Sequence, residues 1–285
     1  MSQPFDRSRH PDVGCRTARL GVRVAALAAL FLALGLACAK PPSQQGTEEE
    51  LFRRALAHRD LGADHLAHGD NALALRELLL SEEINPKDPM TQSGLAEAYR
   101  RQGHVAEAEQ HWLRAIELAT RQGSSGRSTI QLARLNLSSL YVQMERYPES
   151  IEQSKLLAND PTFAAPWIAL SNEGWAEYKL GQTEQARQTL GLALQYKENF
   201  WRALLNLGIL EADTGHQGEA LPLFNRALAQ KPGPLAEAEI NYRIAEIYVS
   251  MGQRERALRH LTAAVQTKPS GEWGKRSEEY LKILR

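Results

Sequence analysis

The residues with most chemical capacity in this chain are histidines. His58, His65 and His68 fall in one short stretch with Asp64, and His65 and His68 share a helix face. Imidazole and carboxylate groups bind zinc and related ions, but such a site needs three or four convergent ligands with hydrogen-bonded support. The set here is incomplete, so no metal is expected. His104 and His216 each follow a glycine and read as turn residues. No Ser, His and Asp are arranged in a way that supports a nucleophilic triad. The sequence has no phosphate-cradling glycine loop, HExxH, CxxC or GxSxG. Neither an enzyme nor a cofactor is expected, so the function must come from binding.

The two cysteines, Cys15 and Cys38, are too few for a disulfide framework. Both lie in a segment unlike the rest of the chain. Arg7, Arg9, Arg16, Arg19 and Arg23 precede an uncharged apolar run of 16 residues from Val24 to Ala39. A basic region, an apolar region and small residues at its end are the parts of a secretory signal peptide. The run falls short of the roughly 20 residues a spanning helix needs. Its end can be read in two ways. Ala37-Cys38-Ala39 fits a small-x-small cleavage site, with the mature chain starting at Lys40. Alternatively, Leu34 to Cys38 resembles a bacterial lipobox, in which Cys38 is diacylated and becomes the first mature residue. An uncleaved single-span anchor is a third reading.

Cys38 stands at the end of the apolar run, directly before a polar linker, which favours lipidation. Residues 1–39 are therefore assigned to a signal peptide of lipoprotein type. Residues 40–46, KPPSQQG, are assigned to a proline-stiffened tether. By the lipoprotein resemblance, Ala39 rather than Asp after the cysteine implies anchoring to the outer membrane, facing the periplasm. A soluble periplasmic or inner-membrane location is the alternative.

The charge balance divides at the same place. The 285 residues carry 34 basic and 34 acidic side chains. Five of the basic and two of the acidic ones precede Cys38, leaving 29 against 32 from Ala39 onward. A basic export segment is thus joined to a mildly acidic body. That body has no basic excess of the kind a nucleic-acid binder shows.

The body repeats. Leu61-Gly62, His65, Gly69, Ala74 and Leu78 return as Leu95-Ala96, Tyr99, Gly103, Ala108 and Trp112. A weaker copy is Leu137-Ser138, Tyr141 and Ser150. Three more follow, through Glu173-Gly174, Tyr178 and Gly181; Leu207-Gly208, Gly215 and Phe224; and Ile244-Ala245, Tyr248 and Gly252. Aligning the small residues at 62, 96, 138, 174, 208 and 245 gives steps of 34, 42, 36, 34 and 37. Small residues let two helices approach, and bulky ones such as Leu61, Trp112, Leu207, Phe224 and Leu261 fill the space beside them. The glycines end the first helix of each pair. Pro86, Pro161, Pro232 and Pro269 stop the second.

The step of 42 marks an insertion at residues 121–129. A shorter insert, residues 233–237, precedes the sixth copy. Thr47 and Glu50 read as a capping box opening the first helix. Residues 272–285 read as a further amphipathic helix covering the end of the array.

These residues resemble the tetratricopeptide pattern across Ala55 to Gly271, and 34 is that repeat's length. The resemblance implies an all-α fold, an α–α superhelix of about six helix pairs over 47–271, with a capping helix at 272–285. His65 then falls on the repeat's aromatic position, a packing role. The resemblance also places the second, fifth, sixth, ninth and twelfth residues of each first helix on a concave inner face. The sixth position is Asn136, Asn172 and Asn206 in three successive repeats. An asparagine amide both donates and accepts, so it can pair with an extended backbone of any sequence. Beside these lie Leu135, Val142, Trp175, Tyr178, Leu205 and Ile209, a setting suited to a partly apolar peptide. A carboxylate clamp is missing, since repeat one has Arg59 and Ala63 where the clamp has Lys and Asn. Recognition of an acidic chain terminus is therefore disfavoured.

The stretch Asp160-Pro-Thr-Phe-Ala-Ala-Pro-Trp167, with Asn172 to Gly181 (NEGWAEYKLG), resembles the pilotin lipoproteins of type IV pili, the Tgl, PilF and PilW group. That resemblance implies a non-enzymatic scaffold that helps the pilus secretin reach and assemble in the outer membrane, with a secretin or other envelope protein segment as partner. Neither nucleic acid nor a small-molecule substrate is expected. The alternatives are a periplasmic adaptor for peptidoglycan hydrolases and a factor for polysaccharide export or attachment.

Overall fold

A computed structural model describes the backbone of residues 42–284 and the side chains from residue 47. The signal segment, including Cys15 and Cys38, lies outside the described residues. Among the described residues there are thirteen α-helices and no strand. They are α1 (Pro42–His68), α2 (Asn71–Ile84), α3 (Pro89–Arg101), α4 (Val105–Arg121), α5 (Arg127–Gln143), α6 (Tyr147–Ala158) and α7 (Pro166–Lys179). There follow α8 (Thr183–Tyr196), α9 (Trp201–Asp213), α10 (Gln217–Ala229), α11 (Pro234–Ser250), α12 (Arg254–Thr267) and α13 (Glu272–Leu284).

One boundary departs from expectation. The first helix opens at Pro42, ahead of Thr47, so Thr47 is not its N-cap and residues 42–46 are helical rather than an extended tether. Proline suits the first helical position, because the N–H it lacks would find no partner there. That start competes on equal terms with the Thr47–Glu50 box and takes precedence.

The chain divides into two compact units, Met1–Leu56 and Ala57–Arg285. The described part of the first belongs to α1, where Leu51 and Phe52 are exposed and Arg53 pairs with Glu49 one turn back. The repeat array described below belongs to the second unit.

In five of the six helix pairs a small residue on the first helix receives a bulky one sixteen positions later on the second. A Cβ added at Gly62 would lie 2.6 Å from Leu78 Cγ, at Gly174 2.7 Å from Leu190 Cγ, and at Gly208 2.7 Å from Phe224 Cε1. Ala96 with Trp112, and Ala245 with Leu261, are the equivalent pairs, and all four of these side chains are buried. Interlocking of this kind removes the bulky side chain from water at interior packing density. Leu61 departs from expectation: it is 44% exposed, so the filling of the first pair falls to Leu78.

First helices of neighbouring pairs also touch, α3 on α5, α5 on α7, α7 on α9 and α9 on α11. They therefore line the inner side of the array, and the second helices spread along the outer side. The last helix, α13, packs on α11 and α12, with Tyr242 of α11 meeting the Trp273 ring at 5.2 Å and Tyr280 at 6.2 Å. The array thus ends in a covered aromatic cluster, as a solenoid requires.

Each turn within a pair closes the same way. The N–H just after the turn glycine bonds back to a carbonyl five residues earlier, as in His104 N to Tyr99 O at 2.9 Å and His216 N to Glu211 O at 2.8 Å. This Schellman geometry needs a left-handed residue just after the helix. Gly69, Gly103, Gly181, Gly215 and Gly252 supply it, with φ between 70° and 86°. In the third pair Glu145 takes the position at φ 57°. That pair also has serines at both interlocking positions, Ser138 and Ser154, and both are fully buried. Its weak sequence pattern is therefore a real difference in packing. The insertion at 121–129 forms a 3-10 turn, Gly123–Gly126, and the insert at 233–237 lengthens the start of α11.

Candidate functional site

Two cavities open along the inner face. The first, of about 700 Å³, lies between α3 and α5 and is walled by Met90, Gly94, Leu132, Asn136 and Leu140. The second, of about 490 Å³, is walled by Asn172 and Trp175 of α7, Trp201, Leu205 and Asn206 of α9, and Trp273 of α13. Ser139, Gln143 and Arg202 border both, so the two form one groove. Its walls mix apolar side chains, joined in the second cavity by three tryptophans, with serine, amide and charged groups, a setting able to hold an extended protein segment.

Six of the expected groove residues, Asn136, Val142, Asn172, Trp175, Leu205 and Asn206, face these cavities, and Leu135, Tyr178 and Ile209 do not. Ile209 is 3% exposed, packed in the core with Leu204, Phe224 and Ile244. The Tyr178 ring packs beside Trp175 at 5.3 Å, and its hydroxyl donates to the Asp213 carboxylate on α9. Burial, reinforced by Asp213, pushes that phenol up to about 12. Tyr178 is a strut between pairs and not a groove wall. The position rule counts residues along each first helix. It takes no account of the neighbouring helix, which covers the later turns.

The asparagines also differ from expectation. Asn172 Nδ2 donates to Ser138 Oγ of the preceding first helix at 2.9 Å, and Asn206 Nδ2 approaches Ser171 Oγ and O at 3.4 Å. Each amide thus commits an N–H donor within the fold, which leaves it less hydrogen-bonding capacity for a ligand. Asn136, beside the insertion, makes no equivalent bond among the described residues.

Several groove residues escaped sequence reasoning. Arg202 occupies the second position of its first helix, which the rule names but the reading passed over. Trp201 stands one residue earlier, and Trp273 lies beyond the last repeat, where no repeat position points to it. Charges along the wall are mostly settled internally. Burial pushes the Glu97 carboxyl up, but hydrogen bonds from Arg100 and Arg101 at 2.7 and 2.6 Å outweigh it and hold the group below its usual range. Burial raises Glu239, against the Arg243 guanidinium at 4.0 Å.

The histidines of the first pair do not converge. His58 Nδ1 meets Glu77 Oε2 at 2.8 Å, His65 faces Asp70 at 3.7 Å, and His68 bonds the Asp64 carbonyl at 2.9 Å. Among the described residues no three His, Cys, Asp or Glu side chains are grouped to hold a metal. Among the same residues, no helix is long and apolar enough to cross a membrane.

An array of paired helices with a groove along its first helices defines a helical-repeat interaction scaffold. Models of the tetratricopeptide repeat match residues 59–126, 171–233 and 213–274, together more than half of the chain, which therefore belongs to the tetratricopeptide-repeat proteins. The unmatched stretch between 126 and 171 holds the divergent third pair. A search of curated protein sequences finds no match.

Among solved structures, the chain is similar to pilF of Pseudomonas aeruginosa, at 16% identity and a TM-score of 0.64, covering 82% of this chain and 99% of that one. It is similar to PilW, described as a widely conserved type IV pilus biogenesis factor, at 19% identity and a TM-score of 0.66, covering 78% and 97%. It is also similar to the APC/C hetero-tetramer Cut9–Hcn1, at 17% identity and 0.66, covering 84% of this chain and 46% of that one. At these identities the likeness is one of fold. Proteins of this repeat family bind protein partners, and no catalytic family is indicated.

Proposed function

We propose that this chain is a non-enzymatic scaffold, held by acylated Cys38 on the periplasmic face of the outer membrane, that helps a type IV pilus secretin reach and assemble there. The observation that carries the reading is the continuous groove of mixed apolar and polar lining along the first helices, which is sized for an extended segment of another protein. The fold follows pilF over 82% and PilW over 78% of this chain, and nearly the whole of those chains, and the pilus biogenesis role named for PilW supports a role of the same type. In this reading the groove holds a secretin segment while the acyl chains of Cys38 keep the array at the bilayer.

The test is to delete the gene and assay secretin multimers in outer-membrane fractions. The reading expects multimers and pili to be lost, and Cys38→Ala to release the protein from membranes with the same loss. Unchanged multimers and intact pili after deletion would overturn it.

A further inference from the structure

The charged side chains along the groove are unevenly matched. Its three acids each have a basic partner: Glu97 with Arg100 and Arg101, Glu239 with Arg243, and Glu272 with Arg276. Two cations, Arg202 and Lys268, line the groove and meet no carboxylate among the described residues. Arg202 is the better placed, because it borders both cavities. Its guanidinium lies 5.1 Å from the centre of the Trp201 ring, which holds it at the edge of the groove. It stands in the first turn of α9, which contains no acidic residue. A cation at that end of a helix opposes the helix dipole. Apart from the Trp201 ring, no partner engages it among the described residues, so its N–H donors are available to a ligand.

We infer that Arg202 is the specificity residue of the groove, pairing with an acidic side chain of an extended, apolar-rich protein segment that crosses from one cavity into the other. The inference rests on the groove reading above and adds the chemistry of what the groove selects. Arginine binds a carboxylate through two parallel N–H donors, so the pair fixes register as well as charge. In an extended strand, residues two apart point to the same side, about 6–7 Å apart. An acidic residue on Arg202 therefore sends its neighbours two before and two after into the same groove. One meets Leu132 and Met90, and the other meets Trp175 and Leu205. The preferred segment reads apolar-x-acidic-x-apolar, with the engaged acid inside the chain and not at its end. Lys268, at the far side of the second cavity, favours a second acidic residue beyond the motif.

The experiment uses short fluorescent peptides of the pattern Leu-x-Asp-x-Trp and their Asn counterparts, titrated with the full chain in detergent and followed by anisotropy. The Asp peptide is expected to bind about ten-fold more tightly than the Asn peptide. Arg202→Ala should remove that difference by weakening the Asp peptide far more than the Asn peptide, and Arg202→Lys should restore part of it. Trp175→Ala should weaken both peptides alike. Equal affinity of both peptides for the wild-type chain, with both lost in Trp175→Ala, would overturn the role of Arg202 and leave the groove reading standing. Binding of neither peptide would overturn the inference together with the groove reading. Arg202 is exposed, so its variants keep the fold, and thermal unfolding alongside verifies this.

Discussion

Asn172 on α7 donates its side-chain amide to Ser138 on α5, thirty-four residues and one repeat earlier, at 2.9 Å. Ser138 is fully buried and itself donates to the Leu135 carbonyl at 2.8 Å. The asparagine therefore ties two successive first helices together at the floor of the groove. Asn206 extends the ladder by one repeat towards Ser171, at a longer 3.4 Å. An amide that fixes the spacing of the first helices also fixes the width of the groove they line.

Removing the rung should show in stability. Asn172→Ala leaves the Ser138 hydroxyl still bonded to Leu135, so the loss is that of one ordinary hydrogen bond, about 1 kcal/mol. Asn206→Ala, whose bonds are longer, should cost less. In a double-mutant cycle with Ser138→Ala, the two residues should couple by about 1 kcal/mol in denaturant unfolding. Strictly additive effects would mean that the contact contributes nothing.

The interlock within pairs gives a sharper contrast between two glycines. A Cβ at Gly208 would meet the buried Phe224 ring at 2.7 Å, and a Cβ at Gly191 in α8 would meet nothing within 4 Å. Gly208→Ala should therefore destabilise by about 1–3 kcal/mol through overpacking. Gly191→Ala should stabilise by about 0.5–1 kcal/mol through helix propensity. Chemical denaturation of the two variants, run side by side, checks the opposite signs.

The same interlock explains how much of the fold was legible in the sequence. A small residue and its bulky partner sixteen positions on belong to one helix pair, so packing is written locally, and six copies disclose the array. The groove is written between repeats, which is harder to read. Asn136, Asn172 and Asn206 were found because the repeat returns them to one face. Ile209 and Tyr178 were misplaced because α9, α10 and α11 cover them, and no count along a single helix carries that information. Trp273 enters the groove from a helix outside the repeat. The start at Pro42 was missed because two valid helix-opening signals stand a few residues apart.

Among the described residues, the third pair has the one turn within a pair whose left-handed residue is not glycine, while Lys231, at φ 51°, stands between the fifth and sixth pairs. Glu145 sits at φ 57°, where a side chain strains the backbone by about 1–2 kcal/mol. Its N–H still bonds Val142 O at 3.1 Å, and Arg146 N bonds Tyr141 O at 2.8 Å, so the turn itself is complete. Glu145→Gly should relieve the strain at some cost in unfolded-chain entropy, for a net gain of about 0.5–1 kcal/mol. Hydrogen exchange of the α5–α6 turn should slow accordingly, and unchanged exchange would show that the turn carries no strain.

Glu173, 5% exposed on α7, gives the array a pH dependence. Burial raises its carboxyl to about 7, the nearby Glu177 adds to the shift, and Lys155 at 3.9 Å offsets part of it. The folded chain therefore holds a proton there that the unfolded chain, with an ordinary glutamate near 4.5, has already released. Over that interval the folded state binds more protons, so stability falls as pH rises. The contribution is fully present below about 4.5 and is lost as pH passes through about 7. Glu173→Gln keeps the shape and removes the charge. It should flatten the slope of unfolding free energy between pH 5 and 8 by about 2 kcal/mol, allowing for solvent screening. At pH 8 the variant should be the more stable protein, and at pH 5 the two should agree. A variant less stable than wild type at pH 8 would mean that the ionised carboxylate is held by its Lys155 pairing and is not penalised by burial.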